Sequence, residues 1–553
     1  MAETTNNDQA GGVDYDAVII GAGFSGLGML QQLGRAGFTA HVYETGDNVG
    51  GTWYWNRYPG ICCDSEATVY QFGFDQDLME EWEYKSRYPN GPEVLSYLNH
   101  FADRYDLRKD ISFNTRIAAA TVDADSGIWT VKTAGGEEVS CRYLITGVGC
   151  LSAAQMPDIP GIHSFAGKQY HTAQWPHEGV DLTGLRVGVI GTGSTGIQII
   201  PPIAKEVGEL YVFQRTANYS IPNRNRPLTA EEKARIKANC MELREEARYT
   251  PTGNLVEPRP MSALSVSDEE RLATYEEDWD YGGFKLLFGG YEDLVVDEAA
   301  NETVAEFVRE KIRAVVEDPD TAELLTPRDH AIGTKRPPLD AEYFETFNQD
   351  NVHLVDIRSA PIEEVTEAGI RTAAEEIDLD VIIYATGFDT MTGSLDKIDI
   401  HTSAGARLAD KWAGAPSTYL GLSTHGFPNL FMITGPGSPS VLSNMPTSIE
   451  QHIEWVLDCL QYAKENGVDR IEANLAAEEE WTQHVDDVAN TTLLTRTKSW
   501  YMGANTPGKP FRFVPYIGGV GEYRKRCAEV AAQGYEGFEM RSGAEAGAGT
   551  AAV

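Results

Sequence analysis

Asp16-Ala17-Val18-Ile19-Ile20 runs directly into Gly21-Ala22-Gly23-Phe24-Ser25-Gly26, so a stretch of strand-forming residues ends in a glycine-rich turn. Glycines at these spacings permit a tight turn and let backbone N–H groups approach a pyrophosphate at the N-terminus of the following helix. One such turn is weak evidence, because glycine-rich turns between a strand and a helix are common. The stretch predicts a βαβ nucleotide-binding unit that begins near Asp16.

The same pattern returns 170 positions later. Val187-Gly188-Val189-Ile190 precedes the turn Gly191-Thr192-Gly193-Ser194-Thr195-Gly196, and Gln198 follows on the helix that the turn opens. Two such units predict an α/β fold with two Rossmann-like dinucleotide-binding domains. A chain that holds two dinucleotides at once is predicted to move electrons from one to the other.

The residues that follow the next strand of each unit distinguish the two sites. Glu44 lies 18 positions after Gly26, where an acidic residue can accept both hydroxyls of an adenosine ribose. Arg215 stands at the corresponding place in the second unit, 19 positions after Gly196. An acid repels a 2′-phosphate and an arginine binds it, so the second site is predicted to prefer NADPH to NADH. A plain charge at a strand end is the alternative interpretation in both units.

The composition is that of a globular and strongly acidic protein. Its 553 residues, 42 % of them hydrophobic, are enough for two or three domains with sizeable cores. The net charge is −38, from 83 acidic and 45 basic residues, and no basic cluster stands out. Nucleic acids bind clustered Lys and Arg, so we predict no nucleic-acid partner. The acidic excess is either an ordinary solvated surface or an adaptation to a salty cytosol.

The cysteines indicate a reducing compartment. Seven of them are scattered along the chain, and Cys62 and Cys63 are adjacent rather than in CxxC spacing. This odd count without a framework argues against a redox disulfide. The chain shows no apolar stretch of spanning length and no signal-peptide layout, so we predict a cytoplasmic protein without membrane contact. We predict no metal site.

A fingerprint segment lies just before the second glycine-rich unit. It reads Phe165-Ala166-Gly167-Lys168-Gln169-Tyr170-His171-Thr172-Ala173-Gln174-Trp175-Pro176 and matches FxGxxxHxxxW(P/D), the fingerprint of the Baeyer–Villiger monooxygenases. Residues 50–64 are similar to a second signature of that family, and the resemblance continues through 333–336, 385–388 and 499–505. The chain resembles this family over nearly its whole length. Residues 391–395, 435–440 and 442–445 are most similar to its phenylacetone and steroid monooxygenase branch.

The resemblance implies a flavin monooxygenase that uses FAD, NADPH and O2. In that family NADPH reduces FAD, oxygen adds to give a C4a-peroxyflavin, and attack on a ketone carbonyl ends in an ester or lactone. The expected ketones are aryl-alkyl, cyclic or steroid-like. Two alternatives stay open: a flavin monooxygenase that mainly forms sulfoxides or N-oxides, and a dinucleotide-binding sensor without catalysis. Relatives of the first kind usually lack tryptophan at the position of Trp175.

The resemblance also assigns the catalytic residues. Arg336 matches the family's active-site arginine, and Asp64 is expected to orient its guanidinium through a charge-assisted pair. A permanent cation keeps the attacking oxygen anionic and stabilises charge on the former carbonyl oxygen. The alternative for both residues is an ordinary surface ion pair. Pro337 departs from relatives with a flexible aliphatic residue here, and it leaves the reach of the arginine open.

The same matching assigns the cofactor-binding residues. FAD is expected to contact Gly21, Gly23, Phe24, Ser25, Gly26, Glu44, Trp53, Trp55, Asp64, Tyr70 and Met445. Of these, Glu44, Trp53, Trp55, Tyr70 and Met445 are expected to line the substrate space as well. NADP is expected to contact Gly191, Gly193, Ser194, Thr195, Gly196, Gln198, Arg215, Thr216, Lys335, Arg336 and Trp500. Trp500 is expected on a mobile segment that closes over the nicotinamide ribose. His171, in the fingerprint, is expected on an interdomain connection with a hinge or hydrogen-bonding role.

The motifs also divide the chain into domains. Strand-like runs at 143–146 and 381–384, each followed by small residues, predict the points where the chain crosses between the nucleotide domains, so the NADP-binding domain is inserted in the FAD-binding domain. The predicted division is a disordered tail at 1–13, the FAD-binding domain at 14–150 and 388–542, the NADP-binding domain at 151–225 and 331–387, a helical insert at 226–330 and a disordered tail at 543–553. We expect a monomer and leave an oligomer open.

The predicted insert has its own helix signals. Thr229 with Glu232, and Ser267 with Glu270, have capping-box spacing. Apolar residues then recur at helical intervals and predict one buried face, namely Val304, Phe307, Val308, Ile312 and Val315. We assign these residues to packing and not to ligand contact.

Overall fold

The computed structural model describes residues 12–506 and 508–542. Of the two tails predicted to be disordered, 1–13 and 543–553, only Gly12 and Val13 fall within the described residues, and both lie outside any helix or strand. Within the described ranges, no helix is both long and apolar enough to cross a membrane.

The strands are β1 (Tyr15–Ile20), β2 (Ala40–Tyr43), β3 (Ile111–Ser112), β4 (Ile117–Val122), β5 (Trp129–Thr133), β6 (Glu138–Thr146), β7 (Lys168–His171), β8 (Arg186–Ile190), β9 (Glu209–Gln214), β10 (Ile221–Pro222), β11 (Leu339–Asp340), β12 (Val352–Asp356), β13 (Ile362–Val365), β14 (Gly369–Thr372), β15 (Glu376–Asp378), β16 (Val381–Tyr384), β17 (Asp399–Thr402), β18 (Leu430–Met432), β19 (Arg470–Ala473) and β20 (Phe538–Arg541). The helices are α1 (Phe24–Arg35), α2 (Thr52–Trp55), α3 (Gln76–Glu81), α4 (Gly91–Arg104), α5 (Ser194–Ala204), α6 (Ala230–Ala238), α7 (Cys240–Tyr249), α8 (Asp268–Tyr281), α9 (Lys285–Phe288), α10 (Glu298–Val315), α11 (Pro319–Leu325), α12 (Tyr343–Thr346), α13 (Leu408–Lys411), α14 (Met445–Glu465), α15 (Leu475–Asn490) and α16 (Val520–Ala532).

The larger sheet is built around β1, the first predicted strand. Its order is β17-β4-β5-β6-β1-β2-β3, and β18 pairs with the C-terminal part of β6. β1 runs parallel to β2 and β6, whereas β4, β5 and β6 pair antiparallel. Ala17 and Ile19 join the core that contains α1, and Val18 and Ile20 join a second core against β4 and β5. β1 is therefore buried on both faces, which explains its uninterrupted apolar run.

The second sheet is fully parallel and lies within an insertion. Its order is β12-β9-β8-β16-β7. All five strands come between β6 and β17 in the chain, and those two strands belong to the larger sheet. The prediction of two Rossmann-like units, one inserted in the other, is confirmed. The residue numbers at which the domains begin and end stay a prediction.

The two connections between these units pair with each other. One is residues 153–155 and the other is residues 387–389, and together they are called the tether here. Ala154 and Phe388 form an antiparallel bridge, flanked by two N–H···O bonds of 2.9 and 2.8 Å. The chain therefore leaves the larger sheet and returns to it through two adjacent, hydrogen-bonded segments.

Helices α6 to α11 occupy most of the predicted insert. Thr229 and Glu232 form both hydrogen bonds of a capping box at the start of α6. Ser267 caps α8 by accepting the N–H of Glu270. On α10 the predicted apolar face is buried, and its last member, Val315, is half-buried against the same core. The helix starts and the buried face of the insert thus agree with the sequence.

Candidate active site

The first glycine-rich turn packs backbone against backbone. A Cβ on Gly26 would lie 1.7 Å from the carbonyl oxygen of Gly21, so the turn tolerates only glycine there. Among the described residues, no side chain caps the N-terminus of α1, which begins at Phe24. Phe24 and Ser25 are buried under the turn. Uncapped N–H groups at a helix start fit the pyrophosphate of a dinucleotide.

Glu44 lies one residue past β2 and faces this turn. Its carboxylate accepts the N–H groups of Ala22 and Gly46, both at 2.7 Å, and the side chain is buried. These bonds fix the carboxylate at the end of β2, where the adenosine ribose lies in a dinucleotide-binding unit. The position supports the predicted ribose contact, which stays a prediction.

The second signature, residues 50–64, folds over the first turn. A Cβ on Gly23 would meet the Cα of Gly51 at 3.3 Å. Trp53 in α2 is buried, and its ring centroid lies 5.8 Å from that of Tyr70. Trp55, at the end of the same helix, is half-buried. The ring of Tyr70 in turn lies 5.6 Å from that of Phe24, so Trp53 and Tyr70 lie beside the turn.

The second glycine-rich turn has the same close approach and more open space. A Cβ on Gly196 would lie 2.1 Å from the carbonyl oxygen of Gly191. A Cβ on Gly193 would meet no described atom within 4 Å. Ser194 opens α5 and is exposed, and Thr195 is half-buried. The space over Gly193, at the start of a helix, fits the diphosphate of a second dinucleotide.

Positive charge gathers at the end of β9. Arg215 is exposed immediately after this strand, and Lys335 is half-buried nearby. Burial lowers the pKa of Lys335, and the cations Arg215 and Arg358 lower it further. The carbonyl of Thr216 accepts a hydrogen bond of 3.3 Å from the hydroxyl of Thr192 in the turn. A group of cations that repel one another fits an anionic ligand such as the 2′-phosphate of NADPH.

Gln198 joins the two units. Its Nε2 donates to the carbonyl of Cys62 at 3.0 Å, and its Oε1 accepts the hydroxyl of Tyr58 at 2.8 Å. A Cβ on Gly60 would lie 2.2 Å from the carbonyl oxygen of Gln198. The second signature therefore packs closely on α5. The predicted contact of Gln198 with NADP stays a prediction, and its amide already has partners between the units.

Part of the fingerprint forms an edge strand. Lys168–His171 is β7, which pairs in parallel with β16 in the second sheet. The prediction that His171 lies on a connection between the domains was therefore wrong. Four residues of mixed polarity carry no strand period that the sequence could reveal. His171 Nε2 lies 3.3 Å from the hydroxyl of Thr386, next to the tether, and Nδ1 accepts the N–H of Ala173 at 3.1 Å. Burial lowers the pKa of His171, which fits a neutral, hydrogen-bonding ring.

The other fingerprint residues are packed inside. Phe165 and Trp175 are buried, and the ring of Trp175 lies 5.5 Å from that of Tyr170. A Cβ on Gly167 would lie 2.4 Å from the carbonyl oxygen of Asp380. The fingerprint therefore fixes how β7 docks on the second sheet.

Arg336 is held by partners from distant parts of the chain. Its Nε and Nη2 donate to Asp64 Oδ2 at 3.0 and 2.6 Å, and its Nη1 donates to the carbonyl of Val441 at 2.7 Å. The side chain is 19 % exposed. Burial opposes the charge, but Asp64 and Tyr501 outweigh it and raise the pKa of Arg336. The guanidinium is therefore a fixed and permanent cation.

Two further side chains contact this guanidinium, and the sequence analysis assigned neither. The ring centroid of Phe284, in the helical insert, lies 5.3 Å from the guanidinium carbon of Arg336, within cation–π range. The phenol of Tyr501 interacts with it electrostatically and raises the pKa of Arg336. Tyr501 lies in the motif 499–505 and could have been found there. Phe284 lies in no motif that the sequence analysis recognised.

The residues predicted to contact the nicotinamide and the substrate lie in one apolar cluster beside Arg336. Trp500 and Met445 pack in the apolar cluster that contains Val441 and Tyr501. The hydroxyl of Thr390 donates to the carbonyl of Trp500 at 3.3 Å. One apolar region therefore borders the Arg336 guanidinium and the short turn that carries Trp500.

Known proteins similar to this chain identify its family. Residues 15–226 match the profile of flavin-binding monooxygenase-like proteins. The chain is 44 % identical to 2-oxo-Δ3-4,5,5-trimethylcyclopentenylacetyl-CoA monooxygenase of Pseudomonas putida, over 95 % of this chain and 98 % of that protein. It is 40 % identical to a Baeyer–Villiger monooxygenase of Pseudooceanicola batsensis, over 96 % of this chain and 97 % of that protein. The chain belongs to the Baeyer–Villiger monooxygenases.

A solved structure agrees with this assignment. The structure of oxidized steroid monooxygenase bound to NADP is 49 % identical in sequence and superimposes with a TM-score of 0.92, over 96 % of this chain and all of the other. As a Baeyer–Villiger monooxygenase, the present chain is an NADPH-dependent flavin enzyme, and its cofactors are FAD and NADPH.

Pro337 does not prevent this monooxygenase from placing its arginine. Pro337 is buried, and the carbonyl of the preceding Arg336 accepts a hydrogen bond of 3.2 Å from Asn218. The guanidinium still reaches Asp64. The proline fixes the backbone at this point and leaves the reach of the side chain intact.

Proposed function

We propose that this enzyme inserts one oxygen atom next to the carbonyl of a ketone, so that ketone, O2, NADPH and a proton give an ester or lactone, water and NADP⁺. FAD, when bound, supplies the redox and oxygen-transfer chemistry. The observation that carries the proposal is the Arg336–Asp64 pair, a fixed and partly buried cation beside an apolar region.

Arg336 acts through its charge. Its guanidinium keeps the transferred oxygen deprotonated and stabilises the negative charge that develops on the former carbonyl oxygen. Asp64 orients Nε and Nη2, and the carbonyl of Val441 holds Nη1 from the other side. The donors are thus preorganised and need no rearrangement when charge develops.

Trp500 and Tyr501 couple closure to this cation. Both lie on one short turn, and Tyr501 raises the pKa of the Arg336 guanidinium. Because the two residues are adjacent, a movement of this turn that placed Trp500 over the nicotinamide ribose would also move Tyr501 relative to the guanidinium. Closing this segment excludes water and protects the reactive oxygen from loss as hydrogen peroxide.

The substrate is an aryl-alkyl, cyclic or steroid-like ketone. The apolar side chains of Val441, Met445 and Trp500 beside Arg336 support this class, because they suit a hydrocarbon body with one carbonyl. The names of the similar proteins, which include a cyclopentenyl compound and a steroid, support it as well.

We also propose that the enzyme works as a monomer in the cytoplasm. All seven cysteines are free thiols, which supports a reducing compartment. Light scattering of the purified protein tests the monomer directly.

The decisive experiment separates the three functions considered above. The yellow holoenzyme is reduced by NADPH without oxygen and then mixed with O2, a ketone panel and a thioether. We expect bleaching on reduction and an ester or lactone by mass spectrometry. Sulfoxide as the sole product would favour the sulfur- or nitrogen-oxidising alternative, and no bleaching would favour the sensor.

A further inference from the structure

Two arginines leave the second sheet side by side. β9 and β12 are parallel neighbours, with Asp356 opposite Gln214, and the N–H of Ile357 donates to the carbonyl of Gln214 at 3.0 Å. Arg215 follows the end of β9, and Arg358 follows the end of β12. Neighbouring strands are about 4.8 Å apart, so both side chains start from the same edge of the sheet.

This edge is where the 2′ substituent of the ribose belongs. In a dinucleotide-binding unit, the strand after the glycine-rich turn and its helix ends at the adenosine ribose. Here that strand is β9, which follows α5. The end of β12 therefore lies beside the 2′ position and not at the nicotinamide end.

Asp329 contacts Arg358 at this edge. Its Oδ2 lies 3.3 Å from Nη1 of Arg358, and its Oδ1 lies 2.7 Å from Nδ1 of His330. The side chain of His330 is 1 % exposed, and its Nε2 lies 3.3 Å from Oδ1 of Asn218. This buried ring therefore fixes the position of the Asp329 carboxylate. Asp329 itself is 32 % exposed, and Arg358 is 65 % exposed, so both can change partner.

Charge at this edge favours an exchange of anions. Arg215 and Arg358 both lower the pKa of Lys335, and the carboxylate of Asp329 raises it. Asp356, at the end of β12, is a second carboxylate here, and its Oδ1 accepts the N–H of Arg358 at 2.9 Å. Three cations and two carboxylates leave one positive charge. A phosphate monoester carries up to two negative charges and three acceptor oxygens, and arginine binds it in a bidentate manner.

We propose that Arg358 is a third cation for the 2′-phosphate of NADPH and that Asp329 is its resident counter-ion, which the phosphate displaces on binding. The proposal rests on the assignment of NADPH to the second unit. Arg358 then sets the preference for the 2′-phosphate together with Arg215 and Lys335. Asp329 opposes that preference, because binding requires its ion pair with Arg358 to open.

Binding of two nucleotides to the FAD-loaded enzyme tests the proposal without turnover. 2′,5′-ADP differs from 5′-AMP only by the 2′-phosphate, and calorimetry, direct or by competition, gives both affinities. We expect Arg358→Leu to weaken 2′,5′-ADP by about 5- to 20-fold and to leave 5′-AMP unchanged. Arg358→Lys should recover part of the loss. Arg371→Leu is the matched control, because Arg371 pairs with Glu364 and Glu376 on the small antiparallel sheet.

Asp329→Asn tests the counter-ion. Asn keeps the oxygen that faces His330 and removes the charge, so we expect 2′,5′-ADP to bind about 2- to 5-fold more tightly. Asp378→Asn is the control, since Asp378 pairs with Arg186 at the N-terminal edge of the parallel sheet, opposite the glycine-rich turn. A gain of the same size in the control would overturn the counter-ion role.

The outcomes separate this inference from the function on which it rests. If Arg215→Leu weakens 2′,5′-ADP and Arg358→Leu leaves it within twofold of the unaltered enzyme, the role of Arg358 is overturned and the NADPH site stands. If neither change matters and the two nucleotides bind equally, the placement of the 2′-phosphate at this edge is overturned as well. Flavin absorbance and melting temperature confirm that each variant is folded.

Discussion

Nη2 of Arg336 lies 2.6 Å from Oδ2 of Asp64, although 272 positions separate the two residues. Asp64 ends the signature that folds over the first glycine-rich turn, whereas Arg336 comes after the helical insert. The pair can form only when the two nucleotide units are docked. The position of one unit against the other therefore decides whether the cation faces the reaction.

Replacement of this arginine should separate reduction from oxygen transfer. We expect Arg336→Ala to bind FAD and to be reduced by NADPH, and to lose ester formation by at least about 100-fold, because charge on the transferred oxygen is no longer stabilised. Hydrogen peroxide should appear in place of the ester. Rapid-mixing reduction, peroxide and ester are measured in parallel. A normal ester yield would remove Arg336 from the mechanism.

Loss of Arg215 should affect binding and not chemistry. In Arg215→Ala the KM for NADPH is expected to rise by about 10-fold or more with little change in kcat, since the contact is the same in the ground and transition states. Kinetics with NADH serve as the control and should hardly change. An unaltered KM for NADPH would contradict the phosphate assignment.

Phe284 should position the cation through its ring. Phe284→Leu removes a cation–π contact worth about 0.5–2 kcal/mol, so we expect ester formed per NADPH consumed to fall by about 2- to 30-fold. Phe284→Tyr keeps the ring face and should restore coupling. Reduction of FAD by NADPH should be the same in both variants. Equal coupling in the Leu and Tyr variants would show that Phe284 only fills space.

Alanine substitutions at two glycines of the second turn should have different effects, one on cofactor binding and one on stability. A methyl group at Gly193 meets no described atom within 4 Å, so Gly193→Ala should keep its melting temperature and bind NADP⁺ more weakly, because the methyl occupies the space for the diphosphate. A methyl at Gly196 would lie 2.1 Å from a backbone oxygen, so Gly196→Ala should lose about 2 kcal/mol or more of stability. Thermal unfolding and NADP⁺ titration distinguish the two. Equal melting temperatures would contradict the packing of this turn.

Asp340 should make stability depend on pH. Burial raises its pKa to about 6, although the hydroxyl of Ser220 donates to it at 2.6 Å. Since the folded pKa is above the unfolded value near 4, this carboxyl stabilises the fold at low pH, and that contribution disappears as pH rises through about 6. The loss is about 3 kcal/mol. The free energy of unfolding of Asp340→Asn should therefore increase relative to that of the unaltered enzyme between pH 4 and pH 7. Urea unfolding at each pH measures both values. If the difference in unfolding free energy between the two proteins stays constant with pH, this role of Asp340 is contradicted.

Features set by neighbours in sequence could be predicted. The two turns, the capping box at Thr229 and the positions of Glu44 and Arg215 follow from spacing along one strand or helix, and the structure has them where the sequence placed them. The pairing of Arg336 with Asp64 came from family resemblance, because no local pattern joins residues so distant.

Features set by tertiary pairing could not be predicted. β7 is a strand because β16 offers it an edge, and its four residues show no period. Phe284 reaches Arg336 from the helical insert, which the sequence assigned only to packing. Arg358 comes near Arg215 through the register of β9 and β12, which becomes visible only when the sheet order is known.

The tether has a consequence for protein engineering. Because its two segments are hydrogen-bonded neighbours, the first and last residues of the inserted unit lie about 5 Å apart. Removal of the unit would leave a gap of the same width. A linker of a few residues could close either part, and a homologous segment could replace the insert without stretching the host. The fold therefore depends little on the order of its segments in the gene. The same enzyme could be assembled from two separately encoded chains, or circularly permuted with new chain ends at this junction.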